Sequence, residues 1–272
     1  MVHCQQGIAQ HEADNGKTTQ SHPVSETTRI LILGGTGDAA ALAAQVSLLS
    51  DVEVMTSLAG RTQQPSELSG SVRVGGFGGS EGLVRYLKEQ RINVLIDATH
   101  PFAAQISWNA ASAVVEANIP HLMLVRPAWK KVTDDRWLEV ESVEAAAQAI
   151  PSNAQRIFLT IGRQQLAPFT LLTEHWFLMR SIDPPAPDIA LPNGELLLDR
   201  GPFTVENEIA LLKQHAIEAI VSKNSGGDAT YAKIAAAREL ELPVVMVQRP
   251  TRPSGERVKD VASAVAWLKQ RL

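Results

Sequence analysis

Ile30-Leu31-Ile32-Leu33-Gly34-Gly35-Thr36-Gly37-Asp38-Ala39-Ala40 decides how the rest of this chain is read. An apolar run of strand length ends in glycines and passes into an alanine-rich stretch of helical character. From Gly35 the pattern is G-x-G-x-x-A, the alanine-ended dinucleotide fingerprint at a strand–turn–helix join. The first glycine permits the tight turn, and the second lets the backbone approach a pyrophosphate. The small third residue lets helix and strand pack closely. The helix N-terminus adds unpaired N–H groups and a partial positive charge. Gly35, Thr36, Gly37, Asp38 and Ala39 are the expected contacts. A glycine corner with no ligand is the plainer alternative.

The next strand narrows the ligand. About twenty residues on, an NAD site places Asp or Glu at the end of its second strand to hold the ribose hydroxyls. Here Val52-Glu53-Val54-Met55-Thr56 is followed by Ser57-Leu58-Ala59-Gly60-Arg61, with no acid at that end. A carboxylate there would repel a 2′-phosphate, whereas a guanidinium grips one in a fork. Ser57 and Arg61 therefore predict NADPH rather than NADH. A solvated loop charge is the alternative for Arg61.

The chain has 272 residues, enough for two domains. Its net charge of −4 gives no electrostatic case for nucleic acid or an anionic membrane. No apolar run approaches the ~18 residues of a spanning helix. The one cysteine, Cys4, excludes an internal disulfide framework and fits a reducing, cytoplasmic setting. Residues 1–28 are polar and lack a signal-peptide core, which predicts a disordered leader. His3, Cys4, His11 and His22 within it match no metal-ligand spacing, so no metal is expected. No long apolar surface pattern stands out, and a monomer is the default.

Beyond the leader, short apolar strands alternate with helical stretches, with a break after Arg126-Pro127-Ala128-Trp129. Such alternation implies parallel pairing with right-handed crossovers. The expected architecture is two open, mostly parallel Rossmann-like α/β domains with a cleft between them. A dinucleotide domain spans 29–132, and a substrate domain spans 133–272, closed by a helix over 258–272.

Ligands of open parallel sheets bind beyond the carboxyl ends of strands. Besides the fingerprint and Ser57, that rule selects three corners. Gly75-Gly76-Phe77-Gly78-Gly79 has almost no side chains, so a ring or ribose can approach Gly76, Phe77 and Gly78. Asp97-Ala98-Thr99-His100-Pro101-Phe102 combines a carboxylate, a hydroxyl and an imidazole at a proline-fixed turn. There Thr99 and His100 are expected to contact the cofactor and Pro101 and Phe102 the substrate, with Asp97 expected to fix the turn. Lys223-Asn224-Ser225-Gly226-Gly227 suits an anion at a helix N-terminus. A capping histidine and a capping loop are the bland alternatives. Arg126, Arg163, Arg180 and Arg200 stand beside turns, and Arg126 and Arg249 each precede a proline. Several arginines at strand ends predict a rim for a polyanion.

Other chemistries find no motif. H-E-x-x-H, C-x-x-C and G-x-S-x-G are absent. Tyr86 and Tyr231 lack the lysine four residues on that a Tyr/Lys proton relay needs. A methyltransferase reading lacks its acid after strand two.

Taken together, L-G-G-T-G from Leu33, G-G-F-G-G from Gly75, D-A-T-H-P-F-A from Asp97, T-I-G-R from Thr160, R-G-P-F from Arg200 and K-N-S-G-G from Lys223 resemble the precorrin-6A reductase family of cobalamin (vitamin B12) biosynthesis. The resemblance covers most of the chain from Ile30 to Pro250. It implies a two-domain oxidoreductase that moves hydride from NADPH to one double bond of the precorrin-6A macrocycle, giving precorrin-6B. The acetate and propionate groups of that tetrapyrrole need an electropositive rim. Arg126, Arg163, Arg180, Arg200, Lys223, Asn224, Ser225 and Gly226 are expected to provide it; His100 and Lys223 are the candidate proton donors, with solvent or the macrocycle's own nitrogens as the alternatives. The cobalt-containing substrate of the anaerobic branch, and a non-enzymic NADP(H) sensor, are the alternatives.

Overall fold

The computed structural model describes residue 1 and residues 27–60 and 68–272. The expected leader falls almost wholly outside the described residues, as does Arg61. Thr28 already opens the first strand.

The first unit carries β1 (Thr28–Leu33), α1 (Gly37–Val46), β2 (Val52–Leu58), β3 (Ser71–Val74), α2 (Gly79–Glu89), β4 (Val94–Asp97), α3 (Ala104–Ala117) and β5 (His121–Leu124). The second carries β6 (Trp137–Val140), α4 (Val143–Gln148), β7 (Arg156–Thr160), β8 (Trp176–Ser181), β9 (Gly194–Leu198), α5 (Val205–Gln214), β10 (Ala219–Lys223), α6 (Ala232–Glu239) and β11 (Val244–Val247). A two-residue strand, β12 (Arg257–Val258), and α7 (Val261–Lys269) end the chain. The sheets run β12-β5-β4-β1-β2-β3 and β6-β11-β10-β7-β8-β9, and every pairing is parallel.

Strand β1 shows why the sheets are covered on both faces. Ile30 and Ile32 point into a core with Leu42, Val46, Trp267 and Leu268. Leu31 and Leu33 point the other way, against Leu83, Leu87, Ala110 and Val114. Both faces being apolar makes the strand a continuous apolar run, as parallel sheets require. In the second sheet Ile157 and Leu159 pack with Phe169 on one face, and Phe158 packs with Leu212 and Ile234 on the other.

The C-terminus corrects the expected division. Residues 133–272 do not form one unit, because β12 pairs with β5 and α7 packs on the core of the first sheet. Asp260 caps α7, its side chain accepting from the Ser263 amide, just after β12. The chain therefore crosses between the sheets twice, near residues 125–136 and 248–256.

In each sheet the direction of strand addition reverses once, between β1 and β4 and between β7 and β10. Such reversals open a crevice at the carboxyl ends of the flanking strands. The loops after β1, β4, β7 and β10 begin at Gly34, Ala98, Ile161 and Asn224. Four of the motif blocks singled out in the sequence thus lie at the two crevices.

Candidate active site at the facing strand ends

The fingerprint corner is tied to the loop after β4 and is open at two of its glycines. Thr36 caps α1: its Oγ1 accepts from the Ala39 amide (3.1 Å) and donates to the Ala98 carbonyl (2.8 Å). That bond ties the loop after β1 to the loop after β4. A Cβ on Gly34 would stand 2.8 Å from Thr56 Cγ2, so Gly34 is a packing glycine. Gly35, at φ +102°, and Gly37 would meet nothing within 4 Å. The space above the α1 N-terminus is open, as an approaching pyrophosphate needs. Ala39 is fully buried and acts only through close packing. Asp38 turns away, and its carboxylate pairs with Arg126 Nη1 at 2.8 Å.

The loop after β4 is fixed from below. Asp97 is fully buried. Its Oδ1 accepts from the Thr99 amide (3.0 Å) and the Thr99 hydroxyl (2.6 Å), and its Oδ2 accepts from Ser107. Arg252 Nη1 lies 3.7 Å from Oδ2, and Arg252 Nη2 donates to the His100 carbonyl at 3.2 Å. Pro101 is buried at this turn, and Phe102 packs partly on the core of the second sheet.

The two rims meet here. Lys223 Nζ stands 5.3 Å from the Phe102 ring centroid, a cation over an aromatic face across the domain boundary. Arg126 donates from Nε to the Ser225 carbonyl (2.9 Å) while holding Asp38. Arg249 spans the same junction, reaching the carbonyls of Asn224 (2.9 Å), Arg126 (2.7 Å) and Ser225 (3.0 Å). Gly226 allows this closeness, since a Cβ there would stand 2.0 Å from the Pro127 carbonyl oxygen.

His100 reports the local field. Burial pushes its pKa down to about 3, assisted by the charges of Arg126, Lys223, Arg249 and Arg252. Burial, Arg126 and Arg252 also lower Arg249 to about 10, so it stays charged at neutral pH. Asp38 and Asp97 offset two of these cations. Lys223 and Arg249 remain as cations near His100 that neither of these two acids offsets. His100 Nδ1 accepts from the Phe102 amide at 3.2 Å, which leaves the ring proton on Nε2.

The expected proton donor is thus a ring that its surroundings hold neutral in this structure. A neutral imidazole near pH 7 is a hydrogen-bond donor, not an acid matched to that pH. The expected consequence is a kcat–pH profile with no ionisation between pH 5.5 and 8 that His100→Asn removes. An inflection near 6.5 in the parent, lost in that variant, would contradict it.

Other expected rim residues are corrected by geometry. Arg180 is turned inward, its side chain 6% exposed in a two-pronged ion pair with Glu208 on α5. Asn224 is buried with its amide committed to the backbone of Trp129, accepting from N–H (2.8 Å) and donating to the carbonyl (3.0 Å). The K-N-S-G-G loop is not at a helix N-terminus, because α6 starts at Ala232. It works as a junction for the domain crossing. Arg163 follows β7 and donates to the Pro184 carbonyl, and Arg200 follows β9 with its side chain exposed. Both stand at the carboxyl edge of the second sheet.

Arg252 is the residue that the sequence reading did not place, and Arg249 was named there only as a rim arginine before a proline. Their signal was an arginine before proline, repeated after β11, on the segment that returns to the first sheet. Among the described residues no group of three or more His, Cys, Asp or Glu side chains could hold a metal, and no helix is long and apolar enough to cross a membrane.

Comparison with known proteins accords with this architecture. The family model described as precorrin-6x reductase CbiJ/CobK matches residues 29–269. The precorrin-6A reductase of Rhodococcus erythropolis is 49% identical over 89% of this chain and 97% of its own length. The cobalt-precorrin-6A reductase of Priestia megaterium is 33% identical over 81% of this chain and 90% of its own. A solved structure named CobK precorrin-6A reductase superposes with a TM-score of 0.84 at 40% identity, covering 89% of this chain and 96% of that one. With two parallel sheets joined at a junction that bears Arg126, Lys223 and Arg249, and with matches running nearly end to end, this chain belongs to the CbiJ/CobK precorrin-6x reductase family.

Proposed function

We propose that the protein reduces precorrin-6A with NADPH, the dinucleotide lying along the carboxyl edge of the first sheet. The observation that carries this reading is the open corner over Gly35 and Gly37 beside the cation-lined loop after β4. The residues present suit the cofactor. The α1 N-terminus and the glycine backbone offer N–H groups to a pyrophosphate, and the end of β2 carries Ser57 in place of an acid.

When bound, NADPH supplies the hydride, and one proton completes reduction of the double bond. The chain's own residues bind, orient and exclude water. Thr36 and Asp97 hold the two loops in register from opposite sides. Lys223, Arg126 and Arg249 set a positive potential that favours the substrate's carboxylates. His100 Nε2–H offers a neutral donor to a carboxylate or ring substituent without contributing charge. Holding donor and acceptor carbons about 3–3.5 Å apart is the main contribution asked of the protein.

The substrate without cobalt is favoured over its cobalt-containing counterpart by relatedness. Relatives named precorrin-6A reductase are 40–49% identical, and those named cobalt-precorrin-6A reductase 26–33%. The test is anaerobic incubation with NADPH and precorrin-6A, followed at 340 nm with the product mass recorded. Oxidation coupled to a gain of two hydrogens is expected; cofactor oxidation no faster than in the substrate-free control would refute the reading. Lys223→Met should raise the KM for the tetrapyrrole about tenfold, the scale of one charged hydrogen bond. It should leave the KM for NADPH within about twofold, because Lys223 is assigned to the substrate's side of the cleft.

A further inference from the structure

A cation that the sequence reading did not single out stands on the outermost strand of the first sheet. Arg73 is on β3, in register with Ser57 on β2. Its Nη1 donates to Ser57 Oγ (3.3 Å) and to the Gly75 carbonyl (2.6 Å), and its Nη2 donates to the Gly76 carbonyl (2.6 Å). The guanidinium carbon lies 4.0 Å from the Phe77 ring centroid and 5.1 Å from that of Tyr86. The two rings meet edge to face at 5.2 Å, and Tyr86 is anchored by its hydroxyl to the Met55 sulfur. A flexible side chain is thereby stacked and pinned in one place.

Ion pairing does not explain this arrangement. Among the described residues, no carboxylate lies within ion-pair distance of Arg73. Among the described residues, every oxygen to which it donates is a backbone carbonyl or the Ser57 hydroxyl. In a sheet of order β4-β1-β2-β3, a pyrophosphate over β1 puts the attached adenosine ribose at the end of β2. That is where Ser57 and Arg73 meet. A stacked guanidinium keeps its plane and its outward N–H groups fixed, which suits a phosphate better than a mobile ammonium does.

We propose that Arg73 is the specificity-determining residue of the dinucleotide site and that its guanidinium receives the 2′-phosphate beside Ser57. The inference rests on NADPH lying along the first sheet as set out above. It also gives G-G-F-G-G a definite task. The carbonyls of Gly75 and Gly76 orient the arginine, and Phe77 is the platform on which it stacks.

The test compares kcat/KM for NADPH and NADH in the parent, Arg73→Met and Arg73→Lys. Methionine keeps an apolar stem on Phe77 but has no charge. NADPH efficiency should fall about 10–100-fold in Arg73→Met, the scale of one or two charged hydrogen bonds. NADH efficiency should stay within about threefold. Arg73→Lys should fall between, since it restores charge without the fork. Calorimetry with adenosine 2′,5′-bisphosphate and 5′-AMP gives a readout independent of turnover. The parent should bind the bisphosphate more tightly, and Arg73→Met should lose that difference. Equal losses for both coenzymes, with the bisphosphate preference intact, would mean that Arg73 only braces the glycine turn and would overturn the inference. A parent enzyme with no preference for NADPH would instead sink the cofactor reading on which it rests.

Discussion

Gly37→Val should weaken NADPH binding about 100-fold without unfolding the protein. Gly37 is the first residue of α1, and a Cβ there would meet no protein atom within 4 Å. Its φ is not positive, so an L side chain is tolerated. Valine therefore places its Cβ in the open space above the helix N-terminus. A 100-fold loss equals about 2.7 kcal/mol, the worth of one or two charge-assisted hydrogen bonds between phosphate and backbone N–H groups. Calorimetry with NADPH, paired with a urea midpoint, separates the two effects. Undiminished affinity would mean that the phosphates bind elsewhere; a lowered midpoint would mean that the corner is a packing feature. Gly35→Val is a poorer probe, because φ +102° at that position strains any side chain.

The largest expected loss of stability comes from Glu208→Ala. Arg180 and Glu208 are 6% and 2% exposed, and the arginine lies 3.8 Å from the Phe203 ring centroid and 4.8 Å from that of Phe158. Lys233 is buried nearby. Burial, and then the charge of Arg180, push its pKa down to about 7, while Glu208 opposes that fall. Removing the carboxylate leaves the buried Arg180 guanidinium without its ion-pair partner and takes away the charge that holds the Lys233 pKa up. Breaking a buried pair from one side costs about 3–5 kcal/mol. Urea unfolding of Glu208→Ala should show a loss of that size, and Arg180→Met with Glu208→Leu should recover most of it. A loss below about 1 kcal/mol in the single variant would show that water already screens the pair.

The sequence made parts of this account legible for local reasons. The fingerprint is readable because a tight turn, a close approach and a helix start are contiguous requirements met by adjacent residues. The D-A-T-H-P-F turn is readable because a buried acid two residues before a threonine closes a short-range hydrogen bond, which Asp97 and Thr99 make. Alternating strands and helices implied two parallel sheets, and the sheets are parallel throughout.

What was not legible depends on residues far apart in the chain. Arg249 acts on Arg126 across 123 positions and Arg252 on His100 across 152, and no spacing rule reaches that far. The two residues of β12 carry no periodicity, so the return of α7 to the first sheet could not be read. Arg180 and Arg200 look alike in sequence, each beside a proline-containing turn. Only the glutamate that α5 presents separates the buried one from the exposed one. Asn224 had the chemistry of a ligand contact, but the Trp129 backbone uses it first.

The central claim is that the carboxyl edge of the first sheet holds the nicotinamide dinucleotide, with the reactive ring opening toward the loop after β10. A crystal structure of the NADP+ complex tests it most directly. Density is expected with the pyrophosphate over Gly35 and Gly37 and the nicotinamide directed at the junction of His100 and Lys223. Density for the coenzyme against the second sheet, or with the nicotinamide turned away from that junction, would contradict it.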